Sequence, residues 1–289
     1  MKYLGRFFLF AIGALALQAI LEVLVIKGLH YEPAKGWTAS DLLLSEAIGF
    51  LAVLVATLVA ARLEHRNIGS YGVPLRAAFG RRWWEGMLWG TLAPLAAFAL
   101  SVAVGAARVD GLALHGATLL KAAGLWLVVM ILLGLFEELL FRGYPLEVLT
   151  RGFGFRPAAL FLSILFGALH YFTKPMENWV DATTVGLLGL FLCFTVRLTG
   201  DLWFAIGFHT AFDYLALNVL GAPNTGNEGK PLADHFLNTR FTGPDWITGG
   251  PRGIEASVWM FVVIAALFVA AALRFRKRPG GSSFSIRNS

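Results

Sequence analysis

Seven side chains carry the chemistry that this chain can offer. Glu137 and Glu138 are adjacent and Arg142 follows Glu138 by four residues; Phe166 precedes His170 by four, and His209 precedes Asp213 by four. The acidic pair ends the run Trp126 to Leu135, which holds no polar side chain apart from the indole of Trp126. A charge in hydrocarbon costs about 2.5–3.5 kcal/mol on insertion scales, so ionisable groups at membrane depth mark function by default. A spacing of four puts two side chains on one helix face. Arg142 suits Glu138, acid first, as an ion pair, and Glu137 points about 100° away from that pair. Glu137 with His170 can take a proton from water. His209 with Asp213 can complete a metal site or polarise a substrate carbonyl. Taken singly, each pair also has a structural reading: a buried ion pair for Glu138–Arg142, an inter-helix hydrogen bond for His209–Asp213, packing for Phe166. Three such pairs in one greasy chain favour a shared site.

The elements that must position these groups follow from composition. The 289 residues are 57% hydrophobic and only 15% charged, with mean hydropathy +0.67. Soluble domains sit near about 45–50% and about 25%, so the expected fold is all-α, a polytopic transmembrane helical bundle of about eight spans. The apolar runs cover approximately 7–26, 42–61, 84–104, 119–149, 157–173, 182–198, 201–220 and 256–273. Spans four, five and seven hold the polar pairs. With roughly 1.5 Å per residue, Glu137, His170 and His209 are all expected near the bilayer midplane. Three regions result: 1–118 with three spans and a basic loop, a core over 119–220, and 221–289 with a long loop, a last span and a basic tail.

The net charge of +6 would suggest nucleic acid in a soluble protein; here the basic residues flank apolar runs, so nucleic acid is excluded and the bilayer is the partner. The single cysteine, Cys193, excludes a disulfide framework and a cysteine metal site. The first run is too long for a signal peptide and reads as a retained span. His30, His65, His115 and His235 fall in loops. Glu22 and Glu46 lie near the outer ends of spans one and two and are expected to reach headgroups. The loop 221–253 is expected outside, as a lid or a plain connection.

These residues resemble the CPBP family of intramembrane proteases, which includes CAAX proteases and bacteriocin-processing (Abi) enzymes. Its Glu-Glu-x-x-x-Arg, Phe-x-x-x-His and His-x-x-x-Asn/Asp motifs are matched in order by Glu137-Glu138-Leu-Leu-Phe-Arg142, Phe166-Gly-Ala-Leu-His170 and His209-Thr-Ala-Phe-Asp213. Phe141-Arg142-Gly143 and Phe166-Gly167 extend the match. The resemblance covers roughly 119–220 and implies an α-helical membrane endopeptidase, metallo- or glutamate-type, acting on a protein or peptide substrate at the membrane. It implies that Glu137 and His170 activate water, and that His209 and Asp213 either ligate a metal or stabilise the oxyanion. It also implies a divalent metal, zinc or another ion, with His170, His209, Asp213 and Glu137 as ligands. Glu138 counts among the catalytic residues, with Arg142 and Phe166 in support.

Two other readings use the same residues. Intramembrane Glu, His, Asp and Arg also build the proton relays of coupled transporters, although no paired half-sequences point that way. A membrane protein that keeps the fold without catalysis, such as a bacteriocin-immunity or scaffold protein, is the third. Of the 24 Lys and Arg residues, 16 fall on the side that holds both termini. The expected arrangement is therefore N-in and C-in across the cell membrane. A reporter fused after Ser289 should be active only in the cytoplasm; activity on the outer side would reverse the assignment.

Overall fold

Long apolar stretches with clear stop signals make this chain helical. The computed structural model describes residues 2–28, 30–31, 37–174 and 176–275. Lys35 and the basic tail from Arg276 lie outside the described residues. The described residues are 77% helical, and among them six helices are long and apolar enough to cross a membrane. In order these are α1 (Lys2–Gly28), α2 (Ala39–Leu63), α3 (Arg81–Ala103), α4 (Gly116–Arg142) with the shorter α5 (Tyr144–Phe153), α6 (Phe155–Thr173) and α7 (Trp179–Thr199). Three more follow: α8 (Trp203–Asp213), a four-residue α9 (Asp245–Thr248) and the apolar α10 (Val258–Arg274). The outer surface carries large exposed hydrophobics such as Leu9, Leu24, Leu58, Leu120, Ile164 and Val269, which is the surface a bilayer solvates. The chain is a multi-pass integral membrane protein.

Local chemistry sets the helix ends. Thr38 caps α2 by accepting from the Asp41 amide at 3.2 Å. Asn178 caps α7 in a capping box, accepting from Val180 and Asp181 amides while Asp181 accepts from the Asn178 amide. The fourth apolar run was expected to continue to 149. Instead α4 stops at Arg142 and α5 starts anew. Gly143 adopts φ −75°, ψ −118°, outside the helical range, and Pro145 has no N–H to extend the ladder. The seventh run also changes pitch. After Asp213 the chain makes a π turn, Tyr214–Val219, with the Leu220 amide donating to Leu215 at 2.8 Å.

One two-stranded antiparallel sheet is present among the described residues, pairing β1 (Ala107–Leu112) with β2 (Leu237–Phe241). It joins the α3–α4 connection to the long segment before α10. The segment 221–253, expected as a lid or a plain connection, contains a strand, α9 and several short turns.

Helices in lipid gain nothing hydrophobic by meeting, so small residues that permit close packing decide where they cross. The deepest helix is α8, in which Phe204, Ala205 and Ile206 are fully buried. It packs along α3 and against α4. A Cβ built on Gly86, Gly90 or Gly207 would lie 2.1–2.2 Å from a backbone oxygen of the facing helix. The α4 contact is similar: a Cβ on Gly134 would lie 2.9 Å from the Thr210 hydroxyl. Replacing Gly90 by Leu should destabilise the fold by about 1–3 kcal/mol, since backbone has to move. Replacing Gly124, whose Cβ would meet nothing within 4 Å, should change stability by less than about 0.5 kcal/mol. Thermal unfolding in detergent reads both.

Candidate active site

The acidic end of α4 meets the middle of α8. Glu138 is fully buried and Arg142 is 2% exposed. Arg142 donates through Nη1 to Glu138 Oε1 at 3.0 Å. The same oxygen accepts from His209 Nδ1 at 2.9 Å. A carboxylate bonded to a guanidinium has no proton to give, so the proton in the second bond belongs to the imidazole. That leaves Nε2 of His209 facing two further carboxyls, Asp213 Oδ2 at 3.3 Å and Glu137 Oε2 at 3.7 Å. The π turn begins at the residue after Asp213, a type of distortion found mostly at functional sites.

The second histidine arrives on α6. His170 Nδ1 donates to the Phe166 carbonyl at 3.0 Å, which fixes the tautomer with Nε2 as acceptor. The Phe166 ring lies under Arg142, with Cζ 4.4 Å from its centroid, and meets the His170 ring at 4.5 Å. Phe166 thus binds the ion pair to the histidine by a cation–π contact and an edge contact. Gly189 on α7 makes room for Arg142; a Cβ there would lie 2.6 Å from Nη2.

Glu137, His170, His209 and Asp213 line one cavity of about 190 Å³. Phe166 lines it too, together with Leu133, Val185, Leu188 and Leu192. Glu137 Oε2 is buried with no hydrogen-bond partner among the described residues, which leaves it open to a water or a substrate. Glu138 and Arg142 are not in the cavity wall; they act on it by holding His209 and Phe166. Glu137 lies five residues before the end of α4, and His170 three before the end of α6. Neither stands at the middle of its helix.

Residues outside the motifs complete the cavity. Trp37, Lys174, Asn224 and Glu255 all come from connections at the end of the bundle that carries the β1–β2 sheet. Among the described residues, the loops that wall the cavity come from that end. Burial pushes the Glu255 carboxyl up to about 8, with nearby Asp213, Glu177 and Asp181 adding to the effect and Lys174 opposing it. Glu46 also lines the cavity. It was expected at the headgroups because it lies near the outer end of its span; α2 instead turns it against α4. Neither Glu46 nor Glu255 belongs to a spaced pair, so no local pattern marks them.

Among the described residues no group of three or more His, Cys, Asp or Glu side chains is arranged to hold a metal ion. His209 Nδ1 is committed to Glu138 and His170 Nδ1 to Phe166. Only Nε2 of each ring is left for a ligand. As placed, His170, His209, Asp213 and Glu137 share the cavity without forming a three-donor metal group among the described residues, and no step below is drawn through a metal.

The shared oxygen of Glu138 makes a stability prediction. Arg142→Met strands a buried carboxylate and should cost about 3–5 kcal/mol. Adding Glu138→Gln to Arg142→Met removes the stranded charge and should recover part of that loss. Thermal unfolding of the single and double variants checks both statements; equal instability would sink them.

Comparisons with known proteins bear on the same stretch. No curated protein and no solved structure matches the chain. Residues 119–215 match the family model described as Rce1-like, type II CAAX prenyl endopeptidase Rce1-like. That stretch contains every motif residue of the site, from Glu137 to Asp213, and over it the chain is similar to the type II CAAX prenyl endopeptidase Rce1-like family.

Proposed function

We propose that this protein is an intramembrane endopeptidase that hydrolyses a peptide bond of a membrane-associated protein or peptide. The family match supports a CAAX-protease-like membrane endopeptidase. The observation that carries the finer reading is the single cavity shared by Glu137, His170, His209 and Asp213.

A substrate segment enters from the loop-walled end, past Trp37 and Asn224. Glu137, whose Oε2 has no hydrogen-bond partner among the described residues, accepts a proton from a water held between it and Nε2 of His170. Both are acceptors in the tautomer that the Phe166 carbonyl imposes. The oxygen of that water attacks the scissile carbonyl. His209 faces the carbonyl oxygen with Nε2, and the proton it shares with Asp213 meets the negative charge as it develops. Asp213 in place of an asparagine has no amide to donate, so that proton is needed if the pair is to stabilise an oxyanion. Glu138 keeps the ring aimed through the opposite nitrogen. Apolar walls exclude bulk water, which strengthens each of these interactions.

The test uses the full chain in liposomes with a panel of prenylated CAAX peptides and unprenylated transmembrane peptides, read by mass spectrometry. Wild type should cleave at least one member. Glu137→Ala and His170→Ala should each lower kcat by about 100-fold or more. No cleavage of any member, or unchanged cleavage in both variants, would overturn the reading. Elemental mass spectrometry on the same samples examines the metal-free mechanism. It is abandoned if wild type holds stoichiometric zinc or another divalent ion that His209→Ala with Asp213→Ala removes.

A further inference from the structure

The hydrolysis above leaves two carboxyls in the cavity wall without a task, Glu46 and Glu255, and Glu46 is the one with Glu137 among its charged neighbours. Glu46 stands on α2, far from the stretch that matches the family. Its Oε2 is buried and has no hydrogen-bond partner, and Glu46 makes no ion pair among the described residues. Its position follows from the helix packing. A Cβ on Gly49 would lie 3.2 Å from the ring of Phe136, the residue before Glu137. The Gly49 face of α2 is therefore laid on α4 at the level of the catalytic glutamate. Glu46 precedes Gly49 by three residues on that same face, about 4.5 Å nearer the start of α2. The start of α2 is the end that follows Trp37, which also lines the cavity. Glu46 thus stands on the mouth side of Glu137, where one flank of a bound substrate must pass. The charged groups around it are Glu137 on α4, His209 and Asp213 on α8, and Glu22 on α1.

The chemistry of the site has a matching gap. Glu137 and Nε2 of His170 both begin as proton acceptors. Cleaving an amide also needs a proton at nitrogen, because the amide anion is a very poor leaving group. A neutral carboxyl is a donor, and it costs less than a charged one among the apolar side chains that wall this cavity. Resting on the endopeptidase reading, we propose that Glu46 is a further catalytic residue, the general acid that protonates the scissile nitrogen. Glu137 takes one proton from water, and the hydroxide oxygen forms the new C–O bond. As the C–N bond breaks, its electron pair stays on nitrogen, which takes the proton of Glu46. Glu46 is left as carboxylate and Glu137 as carboxylic acid. Transfer of one proton from Glu137 to Glu46 restores both. One water and one amide give one acid and one amine, with no other reactant.

An ester in place of the amide separates this role from a structural one, because an alkoxide leaves with far less help than an amide nitrogen. The probes are a peptide that wild type cleaves and its depsipeptide, with oxygen replacing the scissile N–H. Glu46→Gln should lower kcat on the amide by about 100-fold or more, while kcat on the ester changes little. Glu46→Asp, which keeps a carboxyl, should recover part of the amide rate. The amide-to-ester ratio is read within each variant, so a loss of folded protein cancels. An unchanged ratio in Glu46→Gln, through equal losses or through none, would overturn the assignment. Glu137→Ala should abolish both reactions. If it does not, the endopeptidase reading fails, which is distinguishable from a failure of Glu46 alone.

Discussion

One carboxylate oxygen organises this protein. Glu138 Oε1 accepts from Arg142 and from His209 at once, inside a bundle where an unpaired charge costs several kcal/mol. Each partner of that oxygen has a second attachment. Arg142 lies on the Phe166 ring, and Phe166 holds His170 through its carbonyl. His209 faces Asp213 and Glu137. Three helices are thereby tied at one point, and each imidazole has its Nδ1–H committed to a neighbour. Arg142, which looks like a simple counter-ion in the sequence, is the reason that two histidines on different helices point into one cavity.

Close helix crossings let this point be built. Backbone-to-backbone packing at Gly86, Gly90 and Gly207 brings α8 deep enough for His209 to reach α4. Gly189 concedes the volume that Arg142 fills. In a bilayer the gain from such packing is van der Waals contact and satisfied polar groups. The site and the fold therefore draw on the same contacts, and the polar network cannot loosen without opening the helix crossings around it.

Much of this was legible in the sequence because it depends on local period. Apolar runs of span length gave the helices, and four-residue spacings gave the pairs on α4, α6 and α8. The break at Gly143 was missed because the apolar pattern continues through it to 149. Pro145 was the available signal, since it removes an N–H that the ladder needs. The π turn after Asp213 has no spacing signature. The β1–β2 pairing joins segments more than a hundred residues apart, which local patterns do not encode. Glu46 was placed at the headgroups for a similar reason. Position along a helix can be read from a sequence, but the direction in which a face turns depends on the partner helix, here fixed by Gly49 against Phe136.

The β1–β2 sheet also has a mechanical consequence. It staples the α3–α4 connection to the segment before α10, at the end of the bundle where loops wall the cavity. A rim braced this way resists wide opening. The cavity behind it, at about 190 Å³, is smaller than the about 300–1,000 Å³ of pockets that enclose drug-sized ligands. Only a short stretch of extended chain fits at one time. A tightly folded segment would have to unravel before it reached Glu137, so the ease with which a target frays would weigh on selection alongside its sequence.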